Sequence, residues 1–171
     1  MAADGLAAIY AANGYERMRR GFDALVHGVR EEHDEDRIHQ YVRALEGLVK
    51  PEIGRSETQF VHRCQTFAVA SDQARTALRD SYAIRSQVEH VHFWGDALTP
   101  YPEADRASVL TQRLLQIEAL ALYTYIRVVT SRPHRDIFVA DSSIDAFWAK
   151  RDDERFSLWG DRLDLSDALK Q

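Results

Sequence analysis

Apolar side chains recur every three to four residues along most of this chain, and all four prolines (Pro51, Pro100, Pro102 and Pro133) fall between the periodic segments. That spacing buries one face of an α-helix, whereas an internal proline removes a hydrogen bond and clashes with the preceding turn. Met18, Phe22, Leu25, Val26 and Val29 form a first stripe, and Ile38, Tyr41, Val42, Leu45 and Val49 a second. Phe60, Cys64, Phe67 and Ala68 mark a third segment, opened by Ser56 and Gln59 at capping-box spacing. Ser71 is placed to cap a fourth, which runs through Ala74, Leu78, Ile84, Val88 and Val91. The longest extends from Ala104 to Thr130 through Leu110, Leu114, Ile117, Ala121 and Ile126. Ile144, Phe147 and Trp148 mark a short sixth, with Asp141 or Ser142 as its cap. No two-residue alternation is present, so no strand is expected. The expectation is an all-α bundle of about five to six helices with an up-down antiparallel core. Residues 15–150 are expected to form the bundle, 1–14 a short extension, at most a short helix whose small side chains have little to bury, and 151–171 a C-terminal tail, irregular and acidic from Phe156 to Gln171 and suited to docking.

A chain of 171 residues with 45% hydrophobic and 29% charged side chains has material for one well-packed domain. No apolar run approaches the roughly 18 residues that span a bilayer, and residues 1–14 lack the pattern of a secretory signal. No membrane association is therefore expected. The single cysteine, Cys64, lies in line with Phe60 and Phe67 and reads as a small buried hydrophobe. It cannot form an internal disulfide, which suits the cytoplasm. A net charge of −5 argues against coating nucleic acid through an overall positive field but leaves room for a local contact. The five acids between Glu31 and Asp36, and the run Arg127, Arg132 and Arg135, read as solvated surface and helix-end chemistry.

The segment Leu78 to His92 carries the chemistry. On an ideal helix of about 100° per residue, Ala74, Ala77, Leu78, Ser81, Ile84, Val88 and Val91 share one arc, and Arg85 falls inside it. A charged group on a buried arc needs a partner, so Arg85 either bonds a carboxylate within the bundle or lines a cleft. Glu46, mid-helix among apolar neighbours, is a candidate partner for Arg63 or Arg85. His92 lies about 20° from Arg85 and roughly 10 Å along the axis, while His90 points roughly 140° away. Gly95 suggests that the helix ends nearby, where a frayed terminus turns either ring toward the arginine. His90 and His92 diverge by about 200° on a helix and cannot chelate together. With one cysteine and no HExxH pattern, no metal site and no cofactor are expected. Tyr82, Tyr123 and Tyr125 read as packing residues with wet hydroxyls, and Trp94 and Trp148 as core or interface anchors. His27, His33, His39, His62 and His134 are scattered and suggest no site.

Leu78, Tyr82, Arg85, Ser86 and His90 together resemble the signature of HEPN domains (higher eukaryotes and prokaryotes nucleotide-binding), particularly the Apea-like group. Arg37-Ile38 and Ala44-Leu45-Glu46 resemble the helix preceding that motif, and Arg63 and Ile144-Asp145-Ala146-Phe147-Trp148 extend the likeness over residues 20–150. Glu89 stands where the group usually has an apolar residue, and Val91 where it usually has glycine. The Arg-x4-6-His spacing admits His92 as well as His90. The resemblance implies a helical bundle acting as a homodimer and a metal-independent endoribonuclease. Arg85 would bind the scissile phosphate, His90 or His92 would move the proton, and Ser86 would donate a supporting hydrogen bond. A 2′,3′-cyclic phosphate would be the product end. Glu89, one turn from Arg85, is placed to pair with it and block the phosphate.

Three functions are compatible with these residues. The first is an RNA-cleaving or RNA-binding homodimer, in defence or as a toxin restrained by an antitoxin or other protein partner. The second is a non-catalytic HEPN-like module that binds a protein partner or nucleotide. The third is a structural bundle within a larger assembly.

Overall fold

The computed structural model describes residues 2–170; Met1 and Gln171, which belong to the expected terminal segments, lie outside them. The chain is all-α, with nine α-helices among the described residues. They are α1 (Ala2–Ala11), α2 (Glu16–Arg30), α3 (Asp34–Val49), α4 (Ser56–Cys64), α5 (Asp72–Glu89), α6 (Glu103–Thr130), α7 (Arg132–Ile137), α8 (Asp141–Trp148) and α9 (Asp152–Trp159). The six periodic segments are α2, α3, α4, α5, α6 and α8. Of the three additional helices, α1 carries mostly small side chains, α7 has six residues, and charged residues fill the first half of α9, so none shows a stripe in sequence. Among the described residues no helix is long and apolar enough to cross a membrane.

Helix α3 is the hub, packing on α2, α4, α5 and α6. Eight of its residues, from Ile38 to Val49, are buried. A β-carbon on Gly28 would meet Tyr41, and one on Gly47 would lie 3.0 Å from the Gly21 Cα. These pairings run in opposite senses, so α2 and α3 are antiparallel and cross closely at Gly21 and Gly47. Helix α6 runs with α3, because Arg37 meets Glu118 while Ala44 meets Tyr125 seven residues further along each helix. Arg37 Nη2 donates to both Glu118 oxygens at 3.0 Å, and Tyr41 Oη donates to Glu118 at 2.6 Å. Burial, followed by that bond, pushes the Tyr41 hydroxyl up to about 12. A second polar knot ties α5 to α6. Asp80 accepts from Arg113 Nε at 2.8 Å and from Tyr101 Oη at 2.7 Å, and Arg113 Nη1 donates to Gln116 at 2.9 Å.

Arginines satisfy carbonyls that helix C-termini leave open. Arg63 donates to Val49 and Lys50 O at the end of α3, Arg19 to Ile9 O in α1, and Arg135 to Val129 O in α6. Glu46 is therefore left for Arg85 and not for Arg63.

Several sequence expectations need correction. Ile9 is only 1% exposed and α1 packs on α6, so the amino terminus does bury side chains. The carboxy-terminal segment is ordered on the bundle's own surface. Trp159 is fully buried against Phe67, and Leu163 bonds Phe67 O and Val69 N across a single bridge. Ser56 and Gln59 form no capping box, since Ser56 Oγ donates to Glu52 O and Gln59 Oε1 accepts from Glu52 N. Ser71 does cap α5, accepting from Ala74 N at 3.0 Å. At α8, neither Asp141 nor Ser142 is the cap; Ser143 Oγ accepts from Ala140 N at 3.0 Å. Helix α4 ends at Cys64, so Phe67 and Ala68 are buried in the turn that follows it. The Tyr125 hydroxyl is dry, buried and bonded to Ala44 O at 2.8 Å. Val29 and Ile126 lie on the expected apolar stripes yet are both 61% exposed.

Candidate functional site

Arg85 lies on the α5 face turned toward α3. Its Nη2 donates to Glu46 Oε2 at 3.1 Å and lies 2.9 Å from Glu89 Oε2. Its guanidinium carbon is 5.8 Å from the centre of the Tyr82 ring, which in turn packs 5.2 Å from Phe60. The Arg85 and Glu46 side chains are less than one-fifth exposed, whereas Glu89 is 43% exposed. Burial pushes the Glu46 carboxyl above its ordinary range, and the Arg85 charge pulls it back only in part. Among the described residues Nη1 has no protein acceptor, and Nε is buried without one. Both carboxylates thus crowd one nitrogen and leave Nη1 as the donor open to a ligand.

The guanidinium opens onto a cleft of about 360 Å³ between α2, α3 and α5. Arg17, Arg20, Arg43 and Arg85 line it, together with Glu46, Ser56 and Tyr82. The close α2–α3 crossing places Gly21 and Gly47 in the cleft lining. Arg17 is paired with Asp141 at 3.1 Å. Arg20 only reaches back to Glu16 O at 3.4 Å, and among the described residues neither Arg20 nor Arg43 has a carboxylate partner. A polar cleft with several guanidinium groups, two of them unpaired, is suited to phosphate, because the planar fork binds its oxygens through paired hydrogen bonds.

Neither His90 nor His92 joins this cleft. Helix α5 stops at Glu89, and both rings are exposed, 6.3 Å from each other. The stop is a Schellman turn: Val91 N bonds Val88 O at 3.0 Å and His92 N bonds Gln87 O at 2.9 Å. Val91 occupies the left-handed position at φ 59° and is 94% exposed, contrary to its expected place on the buried arc. A β-branched residue is strained there, and the position favours glycine, the residue that the resembling group usually carries. Val91→Gly is expected to raise stability by about 1 kcal/mol, seen as a higher urea midpoint at unchanged slope. A lower midpoint would show that Val91 is not strained. Ser86 is half-buried, and its carbonyl accepts from His90 N at 3.3 Å.

The imidazole beside Arg85 is one to which the sequence assigned no role. His39 Nδ1 lies 3.4 Å from Arg85 O, and the ring is half-buried between α3 and α5. Burial lowers its pKa, as it does for His134, which is hydrogen-bonded to Ser131 Oγ at 2.6 Å and Trp159 O at 3.0 Å. A histidine with a depressed folded-state pKa stabilises fully above its unfolded value and loses that contribution as pH falls through the folded one. Unfolding free energy should therefore decline as pH drops below about 6.5. In His39→Gln/His134→Gln that decline should flatten, as read from urea titrations between neutral and mildly acidic pH. An unchanged slope would refute the assignment. His39 does not line the cleft, and it meets Arg85 at the main-chain carbonyl, so it ties α3 to α5 behind the guanidinium. Its contact spans 46 positions of sequence, a separation that local spacing cannot reveal.

Among the described residues no three His, Cys, Asp or Glu side chains converge in a way that could hold a metal ion. Cys64 is fully buried. Trp148 is buried with its indole donating to Leu48 O at 3.1 Å, and Trp94 is half-buried. No family model, no curated protein and no solved structure matches the chain.

Proposed function

We propose that this chain is an HEPN-like helical domain that binds the phosphate backbone of RNA in the α2–α3–α5 cleft. It acts as a homodimer, with Arg85 at the centre of a metal-independent endoribonuclease site. The observation that carries this reading is the gathering of four arginines around Glu46. Among the described residues, Arg85 Nη1 has no protein acceptor there, and Arg20 and Arg43 have no carboxylate partner. Arg85 Nη1, donating to a scissile phosphate, would steady the charge that develops as the 2′-hydroxyl attacks phosphorus and the 5′-oxygen leaves. One imidazole, from His90 or His92, would take the 2′-hydroxyl proton, and a proton would be returned to the departing oxygen. The resulting ends are a 2′,3′-cyclic phosphate and a 5′-hydroxyl. Both histidines being exposed at a helix terminus, a second protomer would have to bring one of them over the cleft.

A second reading is favoured by a specific contact. Glu46 and Glu89 both engage Arg85, and neither His90 nor His92 bonds it among the described residues. That arrangement suits a non-catalytic HEPN-like module that holds a nucleotide or a protein partner without cleaving. Incubating the protein with mixed RNA in chelator, beside Arg85→Ala and Glu89→Gln, separates the two. The nuclease reading expects cyclic-phosphate ends from wild type, none from Arg85→Ala, and faster cleavage when Glu89→Gln frees the guanidinium. Identical RNA patterns from wild type and Arg85→Ala would end it. RNA retained on filters by wild type but not by Arg85→Ala, with no cleavage by any variant, would establish the binding module.

A further inference from the structure

The Arg85 cleft does not stop at Arg20 and Arg43. A second cavity, of about 350 Å³, continues from it and shares Arg20, Ala24 and Arg43 with the first. Beyond them it is lined by Asp23, His27 and Gln40. Asp23 is the acid facing this cavity, and its carboxylate accepts from Tyr10 Oη at 3.1 Å. Two connected cavities thus run along the α2–α3 face. Their shared wall carries the cleft's two guanidinium groups that lack a carboxylate partner among the described residues.

We propose that Arg20 and Arg43 form a second phosphate subsite, so that the groove engages a single RNA strand across at least two consecutive nucleotides. This rests on the RNA reading of the first cavity. The argument is one of charge and continuity. The Arg85 end is nearly neutralised by Glu46 and Glu89 and supplies position more than attraction. Arg20 and Arg43 are exposed, neither is ion-paired to a carboxylate among the described residues, and they line the wall that joins the two cavities. Guanidinium groups along a groove track a backbone without reading its sequence, so the preference should be for strand length over base identity. Gln40 and His27 supply donors to the far end of the groove.

Fluorescence anisotropy with labelled uridine 5′-monophosphate and single-stranded oligouridylates of two, four and eight residues tests this on the full chain. Wild type should gain about tenfold or more in affinity between the monophosphate and the tetramer. Arg20→Gln/Arg43→Gln should lose the gain, binding the tetramer scarcely better than it binds the monophosphate. Its salt slope for the octamer should fall by about 1.4, because the variant neutralises two fewer phosphates of the single strand. Arg85→Ala should weaken all lengths alike. Equal affinity of wild type for all lengths would overturn the second subsite while leaving the first reading intact. No binding at any length would overturn the RNA reading itself. A double variant as length-sensitive as wild type would show that the strand leaves by another path. Unchanged thermal melts of the double variant, whose two substituted side chains are exposed, establish that the loss comes from binding and not from unfolding.

Discussion

Asp80→Ala is expected to cost about 3–5 kcal/mol, because it breaks a buried ion pair and leaves the other charge behind. The Asp80 and Arg113 side chains are 11% and 9% exposed, and one carboxylate oxygen takes both Arg113 Nε and Tyr101 Oη. Removing it strips Arg113 Nε of its acceptor, leaving a buried guanidinium held only by the neutral Gln116 Oε1 and Tyr101 Oη, and a tyrosine hydroxyl with no acceptor in the knot. For a chain of this length the loss corresponds to roughly 10 °C in melting temperature. The double variant Asp80→Leu/Arg113→Met should recover most of it, because replacing a buried pair by apolar side chains is often neutral. A thermal melt of Asp80→Ala within about 1 kcal/mol of wild type would mean that water reaches the pair and the knot is not a dry one.

Asp80 and Arg113 also show where sequence reasoning stops. Each sits among helical neighbours with ordinary spacing, and nothing local announces that they meet across 33 positions. Arg85 was legible because it fell on an apolar arc, where a charge demands a partner, and Glu46 was legible as a candidate for the same reason. Choosing Arg85 over Arg63 required knowing that the Val49 and Lys50 carbonyls at the end of α3 occupy Arg63. The helices themselves follow from a repeating stripe, which is a local property. Their ends do not. The helical wheel put His92 close to Arg85 only by running α5 past Glu89, and the residue that ends it, Val91, is one whose side chain argues against a left-handed turn. The exposure of Val29 and Ile126 has a similar origin. Both lie on an apolar stripe, but α2 and α6 carry wider stripes than their neighbours cover, leaving a groove lined by aliphatic and aromatic side chains and Thr130.

Gly21→Ala is expected to destabilise by about 1–3 kcal/mol through overpacking alone, with a similar amount added if the Tyr125 hydroxyl loses its acceptor. A β-carbon at Gly21 would overlap Tyr125 Oη and stand 2.8 Å from Ala44 O, the two ends of one buried hydrogen bond. Room comes only from moving α2 away from α3, because Ala44 and Gly47 both lie on the α3 face that packs against Gly21. Denaturant titrations should show a lower midpoint for Gly21→Ala and partial recovery in Gly21→Ala/Tyr125→Phe, since losing the hydroxyl removes the overlap with Oη and the orphaned donor while the close approach to Ala44 O remains. Recovery in the double variant identifies the cause as this contact; its absence would place the strain elsewhere in the crossing. The same substitution bears on binding. Gly21 and Gly47 both line the cleft between Arg17, Arg20, Arg43 and Arg85. Wedging α2 from α3 separates Arg17 and Arg20 from Arg43 and Glu46 without touching any charge. RNA affinity in Gly21→Ala should therefore fall under conditions where the protein remains folded, and Tyr125→Phe in the same chain should restore part of it.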